Sequence, residues 1–420
     1  MKEFHKTPVR DKWVLSDIQV VRLLNSKYPL LYSKRFIMRA RHVIATFIYI
    51  LVFFRVIYFY IRQFFVIKAS EQNVSSLILS SGRGYDFNNI NKLFEINEYI
   101  NINAFTITDY MEHSRVSLST LIRQYFLSVY SFNSILNLDL PDKIMLLLLS
   151  RGLSNISVYT YLRSFFLTFK SKYSNITVYT DGAILASHAA STSNITTIRA
   201  CHGLIEKIHP NSYPEYETIY VYAQEEKDHI MDNMDKGVKT KVHIYPVEEL
   251  NSIEKTVVFF MANSINSVNH KDFNELVEMF KSFNYEILMK VHPLSDAPKK
   301  LMKEYNFATH NWRDILDTSF VKEVDGLDGA DVIKKYRPSF VVGWDSTALY
   351  EALSVGSIPI NFIDPNSKHD GRGIYLVYEK SLKWPDDKRL IKDIIYGNYH
   401  HKDIISSLRD TGRDTIINYQ

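Results

Sequence analysis

"SFVVGWDSTALYEALSVGSIPINF", residues 339–362, runs an apolar segment, Phe340-Val341-Val342, straight into Gly343-Trp344-Asp345-Ser346-Thr347 and a helix-forming stretch. A continuous run of β-branched and aromatic residues marks a strand buried on both faces. Asp345, Ser346 or Thr347 can cap the helix that follows, Gly356 lies about one residue past its end, and Pro359 opens the next strand. Strand, turn, helix and strand in this order make one unit of a parallel sheet. The geometry that caps the helix also gathers hydroxyls and free N–H groups at its positive end, where a phosphate is favoured. A plain cap and a phosphate cradle are both open from these residues.

Working outward, the same pattern recurs on each side. The spacing predicts strands at 256–262 (TVVFFMA), 285–293 (YEILMKVHP) and 358–363 (IPINFI), with helices at 270–284, 297–305 and 347–355. An earlier series predicts strands at 75–82 (SSLILSSG), 104–108 (AFTIT), 176–182 (ITVYTDG), 195–203 (ITTIRACHG) and 218–223 (TIYVYA), with helices within 117–136 and 142–170. Short apolar strands alternating with helices imply parallel sheets covered on both faces. Two series in 420 residues imply two Rossmann-like domains, with the change near 245–255. The expected organisation is an N-terminal helical segment over 1–74, one Rossmann-like domain over 75–250 and a second over 251–420.

Composition narrows the function classes. A net charge of +4 gives no electrostatic case for a nucleic-acid binder, and none is expected as a partner. The single cysteine, Cys201, excludes an internal disulfide framework and a multi-cysteine zinc site. The first 35 residues carry charges of both signs without a continuous apolar run, so no cleavable signal is expected. Residues 35–68, "RFIMRARHVIATFIYILVFFRVIYFYIRQFFVIK", are intensely apolar and hold no acid. A spanning helix needs about 20 apolar residues with no charge near the middle, and Arg55 and Arg62 interrupt this one. Arg55 and Arg62, seven apart, share a helical face, as do Arg35 and Arg39. The segment is therefore expected to lie on the cytoplasmic face of the cell membrane, with a core helix and a true span as alternatives.

Ligands of parallel sheets bind beyond the carboxyl ends of the strands, and the chemistry-bearing residues of this chain collect there. Asp181-Gly182 closes one strand: the Asp can cap the next helix or act as a general base, and the Gly lets a substrate approach. His202-Gly203 closes another, and neighbours on a strand point to opposite faces, which argues against a thiol–imidazole pair with Cys201. Lys290, His292 and Pro293 end a strand of the second series, where a rigidly held imidazole can donate to a phosphate or protonate a leaving group. Glu351 lies one turn inside the helix begun by Ser346-Thr347, placed for a ribose or simply for solvent. No Walker A, G-x-S-x-G, H-E-x-x-H or G-x-G-x-x-G pattern occurs.

Thr180-Asp181-Gly182, His292-Pro293 and Ser346-Thr347, in this order, resemble the motif trio of bacterial sialyltransferases and polysialyltransferases. The resemblance implies an α/β fold of the GT-B type, two Rossmann-like domains facing a central cleft. It implies transfer of a sugar acid from a CMP-activated donor to a glycan or lipid-linked acceptor in capsule or lipooligosaccharide synthesis, with no metal and no cofactor. Asp181 would then activate the acceptor hydroxyl, His292 would assist departure of CMP, and Ser346 and Thr347 would hold its phosphate. The family usually carries a second acid where this chain has Thr180. "CHG" at 201–203 is also similar to octulosonic acid transferases and CDP-glycerol polymerases, and in a glycerophosphate transferase His202 rather than Asp181 would be the base. A non-catalytic scaffold of the same fold is the competing class.

Overall fold

The strands pair in parallel throughout, and the reason is visible in their composition: central strands such as Leu77-Ile78-Leu79 have apolar side chains on both faces. The computed structural model of the chain describes residues 35–69, 74–80, 90–91, 93–136, 153–182, 184–201, 216–234, 239–246, 250, 252–261, 270–290, 321–324, 329–344, 346–362, 379–413 and 416. It divides into two compact units, the change falling between Ile244 and Tyr245.

The first unit holds a six-stranded sheet of β1 (Ser76–Ser80), β2 (Tyr99–Asn103), β3 (Thr177–Thr180), β4 (Thr196–Ala200), β5 (Thr218–Val221) and β6 (Lys241–Ile244). Their order is β2-β1-β3-β4-β5-β6, so the chain reverses its direction of winding between β1 and β3. Its helices are α1 (Arg35–Arg62), α2 (Ile107–His113), α3 (Leu118–Leu136), α4 (Leu153–Lys172), α5 (Ile184–Ser191) and α6 (Gln224–Asn233). Leu77, Leu79, Ile102 and Val178 of the sheet pack in one core with Ile156, Phe165, Phe166 and Phe169 of α4.

Helix α1 belongs to that core. Ile48, Val52, Val56 and Phe59, spaced by three or four, are buried in it, and the Phe59 ring meets Tyr161 of α4 edge-on at 5.8 Å. At its end Gln63 is fully buried, donating to the Val116 carbonyl at 3.0 Å and accepting the Val116 N–H at 2.8 Å. No helix among the described residues is long and apolar enough to cross a membrane.

The second unit holds β7 (Glu254–Phe260), β8 (Glu286–Lys290), β9 (Val321–Val324), β10 (Pro338–Gly343), β11 (Ile358–Phe362) and β12 (Leu382–Trp384), in the order β12-β11-β10-β7-β8-β9. This is the dinucleotide-fold order, with the winding reversed between β7 and β10. Its helices are α7 (His270–Ser282), α8 (Gly329–Tyr336), α9 (Thr347–Val355), α10 (Lys388–Ile395) and α11 (His401–Asp410). Side-chain alternation along β10 assigns the two layers. Phe340 and Val342 pack with Phe273 and Phe280 of α7, Ile391 of α10 and Leu408 of α11, whereas Val341 packs with Ile333 of α8 and Leu349 of α9. Two Rossmann-like α/β units are therefore what the chain folds into.

The strand expected at 104–108 is not there. The strand is β2, one turn earlier, with Ile100 and Ile102 buried and Asn101 exposed, while Ala104 and Phe105 turn the chain into α2. Alternating Ile and Asn suits a strand at the sheet edge, where one face is open.

One buried ion pair ties the end of the chain to the second unit. Asp387, only 6% exposed, accepts from Arg413 Nε at 2.6 Å and Nη2 at 2.7 Å and from the Lys383 N–H at 2.7 Å. Removing one member of such a pair leaves a buried charge unmatched, which costs about 3–5 kcal/mol. Asp387→Ala is accordingly expected to lower the melting temperature by on the order of 10 °C. A fall of only a degree or two would equate this pair with an exposed one.

Candidate functional site

In the first unit the site is built at the carboxyl ends of β3, β4 and β5. Thr180, fully buried, ends β3, and its hydroxyl accepts the Gly182 N–H at 3.3 Å. This short turn holds Asp181, half-buried, at the strand where the sheet reverses its winding. A methyl added at Gly182 would lie 3.7 Å from Arg199 Nη2, so the space the glycine leaves is walled by a guanidinium from β4.

Cys201 follows β4 and is buried. Burial pushes its thiol up to about 11; Arg199 pulls against that shift, and Glu226 and Asp181 add to it. A thiol held protonated at neutral pH is a poor nucleophile. Glu226, 2% exposed, accepts the N–H groups of Tyr222 at 2.8 Å and Ala223 at 3.1 Å. Its carboxylate closes the start of α6. Asp181 is the more accessible of the two acids.

In the second unit the site lies where β10 enters α9, beside the reversal between β7 and β10. Ser346 is the N-cap: its backbone is extended (φ −99°, ψ 139°) and its hydroxyl accepts the Ala348 N–H at 3.3 Å. The Thr347 hydroxyl makes no hydrogen bond among the described residues and is half-buried. At the other end Gly356 takes the left-handed conformation (φ 102°) that ends the helix, and its carbonyl meets His401 Nε2 at 2.9 Å. The cap role is therefore carried by Ser346, leaving the Thr347 hydroxyl for other work.

Glu351 lies one turn on, half-buried, with Oε2 3.9 Å from where a methyl on Gly329 would sit. That places its carboxylate beside the positive start of α8. Lys290 ends β8, half-buried, and its carbonyl accepts the Met261 N–H at 3.0 Å. Trp344 packs its ring against Phe273 and Phe362, at 5.6 and 5.2 Å, and so fixes the end of β10 against α7.

Within their own units, then, Asp181 and Gly182 come together with Arg199, and Ser346, Thr347 and Glu351 share one helix. His202, Gly203, His292, Pro293 and Asp345 lie outside the described residues. Arg199 was not singled out by the sequence. Its signal is a lone cation in an otherwise uncharged strand, Thr-Thr-Ile-Arg-Ala.

No family model matches this chain, and no curated protein matches it. Several solved structures are similar at low identity. A UDP-GlcNAc 2-epimerase of Methanocaldococcus jannaschii, in complex with UDP-GlcNAc and UDP, is 13% identical over 78% of this chain and 93% of its own, with a TM-score of 0.40. The glycosyltransferase of kitacinnamycin is 10% identical over 81% of this chain and 95% of its own, with a TM-score of 0.42. UGT89C1 of Arabidopsis thaliana is 8% identical over 80% and 86%, also at 0.42. Identities and scores this low assign neither a substrate nor a reaction to this chain.

Proposed function

We propose that this protein is a glycosyltransferase that moves a sugar acid from a CMP-activated donor to a glycan or lipid-linked acceptor, without a metal, in surface polysaccharide synthesis. One observation carries the proposal. In each sheet the candidate residues sit at the strand ends beside the reversal of winding, Asp181 after β3 and Ser346-Thr347 after β10, where parallel sheets bind ligands. Asp181 serves as general base for the acceptor hydroxyl. The first turn of α9 receives the donor phosphate through its N–H groups and the Thr347 hydroxyl, and Lys290, His292 and Pro293 are assigned to the same donor, His292 assisting departure of CMP. Glu351 is assigned to the ribose. We also place the protein on the inner face of the cell membrane through residues 35–68.

The test separates capping from phosphate binding. Thr347→Val removes a hydroxyl that makes no hydrogen bond among the described residues, so the unliganded stability should stay within about 0.5 kcal/mol of wild type. Stabilisation by CMP, about 2.7 kcal/mol at a hundredfold excess over Kd, should shrink by about 1.5 kcal/mol or be lost almost entirely. Ser346→Ala should instead lower the unliganded stability by about 1 kcal/mol through loss of the cap. Stabilisation by CDP in preference to CMP would move the assignment to polyol-phosphate transfer with His202 as base. A response to UDP alone, or to none of the three, would end the cytidine assignment.

A further inference from the structure

The membrane placement above rests on residues 35–68, yet one face of α1 is spent in the core. Its opposite face is apolar and open: Val43, Phe47, Ile50, Leu51, Phe54, Tyr58 and Ile61 are exposed. At 100° per residue these fall within a sector of about 100°, the width of an ordinary packing face. Phe64, Phe65 and Ile67 continue it beyond the helix, and the Arg115 guanidinium lies over the Phe64 ring at 5.3 Å.

A second helix extends the same surface. On α3, Arg123, Phe126, Leu127 and Tyr130 follow the i, i+3, i+4, i+7 spacing of one face, and all four are exposed. A line of rings joins the two helices: exposed Phe54 meets Phe53 at 6.2 Å, Phe53 meets Tyr125 at 5.3 Å, and Tyr125 meets exposed Phe126 at 5.2 Å. Tyr125 also donates its hydroxyl hydrogen to the Tyr49 carbonyl of α1 at 2.9 Å. The two apolar stripes are therefore held side by side by the core beneath them.

We infer that α1 and α3 together form one preformed, monotopic docking face for a bilayer leaflet rich in anionic lipid. The inference rests on the membrane placement and adds α3 to it. Charge selects the occupant. No acid occurs at residues 35–70 or 113–136, whereas Arg62, Lys68, Arg115 and Arg123 are exposed and Arg55 is half-buried. Cations around an aromatic apolar face match anionic headgroups above acyl chains. Two copies of this chain meeting through the same face would instead bring like charges together.

The experiment is flotation of the full chain with vesicles of phosphatidylethanolamine and phosphatidylglycerol, and with phosphatidylcholine vesicles as the neutral comparison. Wild type should float with the anionic vesicles and lose most of that binding in high salt. The pair Phe126→Ser, Tyr130→Ser should melt like wild type and bind about tenfold more weakly or worse. Equal flotation of wild type and the pair would overturn the part played by α3 and leave contact through residues 35–68 alone. Failure of wild type to float would overturn both. A wild-type dimer that the pair converts to a monomer, without flotation, would identify a second copy as the occupant and overturn the inference.

Discussion

Val56→Asp is expected to unfold the first unit or leave it marginal, while Phe54→Asp, two residues away, leaves the melting temperature nearly unchanged. Val56 is fully buried among the side chains of α1, α4 and the first sheet; Phe54 is 64% exposed on the other side of the same helix. Burying a valine is worth about 1.5–3 kcal/mol. A carboxyl put in its place must also be neutralised, and raising its pKa by several units costs about 1.4 kcal/mol per unit. The total is at least about 4 kcal/mol, set against a typical stability of about 5–15 kcal/mol. The pair of melting curves thus decides how α1 is used. If α1 only lay on a membrane, both variants would melt like wild type. Equal, large losses in both would mean that the face bearing Phe54 is covered as well.

This two-sided use of α1 was half legible in the sequence. An acid-free apolar segment broken by Arg55 and Arg62 announces an interface of some kind, but a helix apolar on nearly all sides does not say which side meets the core. That choice is made by partners remote in sequence, Tyr161 on α4 and Val116 before α3. The stretch at 339–362 behaved differently because its signals are local. An apolar strand, a serine cap and a left-handed glycine give β10, α9 and β11 at the places expected.

The strands that the pattern displaced or passed over are β2, β6, β9 and β12, and these are the four sheet edges. An edge strand is paired on one side only and needs fewer apolar residues. Lys241-Val242-His243-Ile244 and Val321-Lys322-Glu323-Val324 therefore carry too little periodicity to stand out, and β12 is only three residues long. The site residues at strand ends were legible for the same reason that the central strands were. Arg199 was not, since nothing in the sequence says that β3 and β4 are neighbours.

Asp181→Asn is expected to reduce transfer by about 10²–10⁴-fold, the range for loss of a positioned general base, with the melting temperature and CMP stabilisation unchanged. The isosteric amide keeps the turn, because the Gly182 N–H is held by the Thr180 hydroxyl and not by Asp181. It can no longer take a proton from the acceptor. The loss should fall on kcat and kcat/KM alike, since the base acts only as the hydroxyl attacks. Arg199 gives a second handle on the same reaction. Its guanidinium stands beside Gly182 and opposes Asp181 in its effect on the buried Cys201. Arg199→Met should therefore lower transfer as well, by reshaping the wall next to Asp181. An Asp181→Asn protein that binds CMP and transfers at the wild-type rate would remove Asp181 from the chemistry and leave His202 as the base to test. Retention of the cellular role by every single variant of Asp181, His202 and His292 would point instead to a scaffold, because an enzyme should lose turnover with at least one of the three.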